Sequence, residues 1–195
     1  IKRFKPDGLV HRLRSWINDR ALHEYRVLLG LRERGIEAPQ PVAWVRSGGS
    51  TWLFTEEIPG SKSLREVPLT RTLLRDLAHF VTRLHKAGLR DDDLHVGNIL
   101  LSGRRLFLID LHRARLFDVL TDADRVDSVA FLLLSLYTFI SRTEAQRFIR
   151  ACHVDSRAVW AVFQRIRGRY YQDRQSRARR SGSDFEVEGG LVGWL

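Results

Sequence analysis

Apolar positions along this chain recur first at the period of a strand and then at the period of a helix, and the change marks a sheet-rich start and a helical remainder. Residues 1–4 read as a strand carrying Lys2, with Pro6-Asp7-Gly8 as the turn after it. From a cap at Asn18 or Asp19 to Gly35, the positions Ala21, Leu22, Tyr25, Leu28, Leu29 and Leu31 trace one helical stripe, which leaves His23, Glu24 and Arg26 off it. Pro39 and Pro41 mark the exit. Residues 42–45 and 51–55 then alternate as two antiparallel strands around Ser47-Gly48-Gly49-Ser50.

The stretch from Glu56 to Gly60 has the look of a linker. Beyond it, Leu73, Leu74, Leu77, Phe80, Val81 and Leu84 form one face of a helix, with Gly88 as its left-handed cap. Residues 124–140 are apolar nearly all round, as in a buried central helix, and 142–150 and 156–171 read as two more helices. The stretch 181–195 has no usable period, and no internal repeat occurs. Strands first and helices afterwards predict an α+β chain.

Composition narrows the class without choosing a function. At 195 residues and 44% hydrophobic content, the chain can bury a substantial core. Its longest apolar run, 129–140, is interrupted by Ser135 and Thr138, so no transmembrane helix is expected. A single cysteine, Cys152, cannot close an internal disulfide, and with no secretory leader pattern the cytoplasm is the expected compartment. The chain starts at Ile1 and has no Met, so a piece of a longer protein is expected. A formal charge of +10 calls for an anionic partner. Much of the excess lies in Arg165, Arg167, Arg169, Arg174, Arg177, Arg179 and Arg180, yet no aromatic stacking platform or helix-turn-helix pattern accompanies it, which weighs against nucleic acid.

The chemistry is concentrated in Asp93-Leu94-His95-Val96-Gly97-Asn98 and in Asp110. Phosphoryl transfer leaves little covalent work to a protein and demands placement of phosphates, metal and acceptor oxygen in line. An Asp to accept the acceptor proton, an Asn five residues on and an Asp after the next hairpin meet that demand. Residues 99–101 and 106–109 are short apolar strands around Ser102-Gly103-Arg104-Arg105, a hairpin that returns Asp110 to the side of Asn98. The pattern points to an ATP-dependent kinase.

The same order of parts, with Leu84-His85-Lys86-Ala87-Gly88 ahead of DLHVGN and with Ile109-Asp110-Leu111-His112-Arg113-Ala114, resembles the lipopolysaccharide kinase (Kdo kinase and WaaP) family of the protein-kinase-like superfamily. The IDLHRA string is closest to the WaaP branch. The resemblance implies a two-lobed fold, with a small sheet lobe over 1–58 and a larger helical lobe over 59–195. It implies Lys2 on the nucleotide phosphates, Glu24 as its ion-pair partner, and Glu56 and Ile58 as the hinge that faces adenine, with Thr55 as gatekeeper. It also implies Asp93 as catalytic base, Asn98 and Asp110 as ligands of Mg2+, and Asp127 (or Asp124) as a brace of the catalytic loop, with His95, His112 and Arg113 close by. ATP is the implied donor. The implied acceptor is a hydroxyl of the lipopolysaccharide inner core, heptose before Kdo, met as a lipid-anchored anionic glycan with peripheral contact at the inner face of the bacterial inner membrane. The alternatives are a kinase of small molecules or proteins, and a nucleotide-binding pseudokinase. Two departures stand out: Asp91 and Asp92 occupy positions where relatives carry His and Arg, crowding three carboxylates that Arg90 or a metal should relieve. The Gly-rich phosphate loop of such kinases would lie before Ile1.

Overall fold

The computed structural model describes residues 1–4, 19–47 and 49–181. The Pro6-Asp7-Gly8 turn, Gly48 and the stretch 182–195 lie outside them. Strand β1 (Lys2–Phe4) lies antiparallel to β3 (Ser50–Thr55), which also pairs with β2 (Pro41–Ser47), in the order β1-β3-β2. The register sets Lys2 opposite Leu53. Strands β2 and β3 are the alternating segments read from the sequence, each beginning one residue earlier, at Pro41 and Ser50.

Helix α1 (Arg20–Glu33) starts where its cap predicts, because the Asp19 carboxylate accepts from the amides of Ala21 at 3.0 Å and Leu22 at 3.2 Å. Its buried face differs from the expected stripe: Ala21, Glu24, Val27, Leu28 and Leu31 are inside. Glu24 is 3% exposed and lies on the core face itself. The physical reason is that its carboxylate has two partners waiting, described below, so burial leaves no charge unpaired. Gly30 on the same helix permits close approach to a strand, since a Cβ there would come within 2.6 Å of the Leu116 side chain.

A second sheet, in the order β4-β6-β7, is built from β4 (Lys62–Ser63), β6 (Ile99–Ser102) and β7 (Arg105–Leu108). Gly103 takes φ +60° in the two-residue turn between β6 and β7, as the sequence required. Helix α2 (Arg71–Lys86) buries Leu74, Leu77, Phe80, Val81 and Leu84. It ends at Gly88, with φ +72°, and β5 (Leu89–Asp91) follows, paired with β8 (Ala114–Leu116). A Cβ on Gly88 would overlap the Phe117 carbonyl, whose residue donates its own amide to the Gly88 carbonyl at 2.9 Å. Gly88→Ala therefore combines a strained φ with a backbone clash, and is expected to cost at least about 2 kcal/mol of stability, read as a lower chemical denaturation midpoint. An unchanged midpoint would show that the turn can move.

The described residues divide into two compact units. The first holds both three-stranded sheets, α1, and the β5/β8 pair. The second holds most of α2 and the helices α3 (Asp122–Leu136), α4 (Arg142–Ala151) and α5 (Ser156–Ser181). Helix α3 starts two residues before the expected Asp124, which instead completes a capping box with Thr121. It stops at Leu136 rather than at residue 140. Helix α4 carries a second box, Ser141 with Glu144. Phe163, fully buried on α5, meets Tyr137 and Trp160 edge-on at 5.7 and 5.5 Å. Helix α5 runs ten residues past the expected end, through the arginine-rich stretch, and Arg167 lies over the Phe163 ring at 5.6 Å.

Candidate active site

Three separate segments of the first unit converge on one ammonium group. Lys2 Nζ, from β1, donates to Glu24 Oε2 on α1 at 2.8 Å and to Asp110 Oδ1 after β7 at 2.5 Å. The other oxygen of Glu24 accepts from the Leu111 amide at 3.1 Å. One buried carboxylate thus holds both the lysine and the backbone beside Asp110, and both of its oxygens are used. Such charge-assisted bonds set position more firmly than neutral ones.

Asp110 itself is held in the left-handed region, at φ +59°. An Asp tolerates that conformation better than most L residues do. The hairpin supplies the placement: the Ile109 amide donates to the Asn98 carbonyl at 2.9 Å, so Asp110 leaves β7 beside the start of β6. His112 Nδ1 donates to the same Asp110 Oδ1 at 2.5 Å. Burial alone would raise the Asp110 carboxyl, but hydrogen bonds from Lys2 and His112 outweigh it and hold the carboxyl below the usual range. Asp110 is therefore anionic at neutral pH, with Oδ1 occupied by the two cationic or N–H donors and Oδ2 left for a further partner.

Asn98 is 7% exposed and donates from Nδ2 to the Asp93 carbonyl at 3.2 Å. That bond fixes the amide orientation and leaves Oδ1 as the lone-pair donor. A charged carboxylate oxygen and an amide oxygen suit a hard divalent cation such as Mg2+. Glu24, Asp110 and His112 also offer ligand atoms within 4.8 Å of one another. The Lys2 ammonium already stands among them, so this trio is an ion-pair network rather than a second cation site.

The loop leading to Asp93 is tied from within. The Asp93 amide donates to Asp91 Oδ1 at 3.0 Å, and in the other unit the Val96 amide donates to the Ser135 hydroxyl at 3.1 Å. That contact to Val96 comes from Ser135, and Asp127 is half-buried. The crowding of acids is relieved in two ways: Arg90 Nε reaches Asp92 Oδ1 at 3.3 Å, and Asp91 turns inward, 3% exposed. Burial pushes the Asp91 carboxyl up to about 6, helped by the neighbouring charges of Asp93 and Asp92 and opposed by the Asp93 amide. Its Oδ2 has no hydrogen-bond partner among the described residues.

A native carboxyl that binds its proton more tightly than the unfolded chain lowers stability as pH rises from about 3.8 to about 6. The difference amounts to about 3 kcal/mol once both states are ionised. Asp91→Asn keeps an oxygen for the Asp93 amide and removes the buried charge. It is expected to raise the denaturation midpoint at pH 8 and to leave it near the parent value at pH 4. Equal midpoints at both values would contradict the buried, ionised state.

At the expected hinge, Glu56 donates its amide to the Gln40 carbonyl at 2.9 Å and Ile58 accepts from the Ser61 amide at 3.3 Å. Among the described residues no hydrogen bond engages the Glu56 carbonyl or the Ile58 amide. The site residues read from sequence therefore separate into a joined network of Lys2, Glu24 and Asp110, a backbone-linked pair of Asp93 and Asn98, and the hinge groups. His112 and Asp91 are the members whose roles were missed. A His two residues after Asp110 is the signal for the first, and nothing in the sequence marks the inward turn of Asp91.

Residues 9–151 match the family model described as "Lipopolysaccharide kinase (Kdo/WaaP) family". A 3-deoxy-D-manno-octulosonic acid kinase of Vibrio parahaemolyticus serotype O3:K6 is 29% identical over 110 residues, which cover 52% of this chain and 46% of that protein. The lipopolysaccharide core heptose(I) kinase WaaP of Pseudomonas aeruginosa is 28% identical over 155 residues, covering 67% and 58%. The chain thus spans about half the length of the Kdo kinases it matches. Among solved structures, WaaP in complex with acyl carrier protein superposes with a TM-score of 0.63 at 25% identity, covering 77% of this chain and 76% of that one. The bifunctional kinase-methyltransferase WbdD shares the fold at 20% identity and a TM-score of 0.57, covering 84% and 39%.

Proposed function

Because the chain belongs to the lipopolysaccharide kinase (Kdo/WaaP) family, we propose that it carries the catalytic core of an ATP-dependent sugar kinase acting on a hydroxyl of the lipopolysaccharide inner core. The observation that carries this reading is the Lys2 ammonium held between Glu24 and Asp110. A cation fixed by one buried and one part-exposed carboxylate is what a nucleotide polyphosphate needs beside a metal ligand. In this reading the division at residue 58 separates a sheet lobe from a helical lobe, and the Glu56 carbonyl and Ile58 amide receive adenine.

Asp93 accepts the proton of the acceptor hydroxyl as the oxygen attacks the γ-phosphorus, and ADP leaves with the β–γ bridging electron pair. Asn98 Oδ1 and Asp110 Oδ2 would hold Mg2+, which neutralises phosphate charge when bound. Lys2 orients the α- and β-phosphates, while Glu24 keeps Lys2 in place. The IDLHRA string favours heptose as acceptor over Kdo. An acceptor of this class is anionic and lipid-anchored, and basic residues suit a peripheral approach to the inner membrane surface.

The test is transfer of labelled γ-phosphate from ATP, with Mg2+, to purified core oligosaccharides ending in heptose or in Kdo. Product on the heptose acceptor is the expected result, and transfer to Kdo alone would reverse the preference. No product on either, with ATP still bound, would sink the assignment.

A further inference from the structure

An open groove of about 750 Å³ lies in the first unit, with Arg20 and Arg26 of α1, Arg46 of β2, and Arg113 and Arg115 around β8 on its walls. The volume is that of a small-molecule site. Five guanidinium groups from three segments face two carboxylates, Asp19 and Asp92, and both acids are already committed. Asp19 accepts from the first amides of α1 through Oδ1 and from Arg46 Nη2 at 3.0 Å through Oδ2. Asp92 pairs with Arg90. Among the described residues, no side-chain hydrogen bond or ion pair engages Arg20, Arg26, Arg113 or Arg115.

Like charges gathered in a concavity focus a positive potential that a bound anion relieves. The groove also lies next to the chemistry. Its wall includes His112, which bonds Asp110, and Asp92, which adjoins Asp93. The helix amides, spent on Asp19, add nothing to an anion seated there.

We propose that this groove is an acceptor subsite that binds an oxyanion, phosphate or carboxylate, carried by the core glycan that holds the sugar to be phosphorylated. The proposal rests on the kinase reading for the identity of the acceptor, while the anion site itself rests on the groove. Arginine forks clamp either oxyanion in two parallel hydrogen bonds, and this would fix which hydroxyl faces Asp93.

The experiment measures binding rather than turnover. The protein is saturated with a non-hydrolysable ATP analogue and Mg2+, then titrated calorimetrically with phosphorylated inner-core oligosaccharide. The double variant Arg26→Glu with Arg115→Glu should bind at least 10-fold more weakly than the parent, with the ATP analogue bound equally. Arg157→Glu, which makes a similar reversal outside the groove, should bind as the parent does. If the double variant does not fold, Arg26→Gln alone, an exposed position on α1, should still weaken binding measurably. Phosphatase treatment that abolishes the difference assigns phosphate, and amidation of the sugar acid that abolishes it assigns carboxylate. Equal affinity of parent and double variant overturns the proposal even if transfer is observed. Groove-dependent binding of inorganic phosphate without transfer to any core sugar would instead remove the kinase reading and leave the anion site standing.

Discussion

Lys2→Met is expected to lower kcat/KM for ATP by at least about 100-fold and stability by about 3 kcal/mol, a joint effect that few single changes produce. Both losses have one origin. Glu24 is 3% exposed and keeps one oxygen on Lys2 and the other on the Leu111 amide. Removing the ammonium leaves a buried carboxylate half satisfied, and it frees Asp110 Oδ1 from one of its two donors. The half-exposed lysine lets some water in, which sets the stability loss at the low end of the range for broken buried pairs. Lys2→Arg separates the two effects, since it returns charge to Glu24 without the same reach to the phosphates. Thermal denaturation alongside steady-state kinetics checks this, and a Met variant with parental stability and parental ATP kinetics would remove the network from the mechanism.

Asp93→Asn should behave differently, with kcat falling about 1000-fold while stability and nucleotide affinity stay near the parent values. The carboxylate is part-exposed, and its described contacts run through its backbone, the amide to Asp91 and the carbonyl from Asn98. An amide side chain preserves those bonds and removes only the carboxylate proposed as proton acceptor. Single-turnover transfer to the core acceptor, compared with equilibrium binding of an ATP analogue, isolates the chemical step. Turnover at the parental rate would reassign the base.

The pattern of the chain predicted these elements where local rules dominate. The β6/β7 hairpin followed from its glycine and its two apolar runs, and α1 from its Asp19 cap. Glu24 was misplaced on the helix because hydrophobic periodicity counts a carboxylate as polar, whereas here its partners arrive from residues 22 positions earlier and 87 positions later. Such long-range pairing leaves no mark on a local period. The inward turn of Asp91 and the bond from Val96 to Ser135 were hidden for the same reason. The end of α5 was hidden because arginines with good helix propensity carry a helix onward without any apolar stripe. The basic groove leaves no charge run in the sequence, because its arginines are scattered over more than ninety positions.

The left-handed torsion of Asp110 has a consequence for how this position can drift through descent. Most side chains would add about 1 kcal/mol of conformational strain there, beyond the loss of the charge. Asn and Gly are the replacements whose backbones sit comfortably at φ +59°. A lineage that abandoned the reaction would thus keep its shape most easily by passing through one of those two residues. Surveying silent descendants for that narrow substitution spectrum turns a single torsion angle into a record of lost activity.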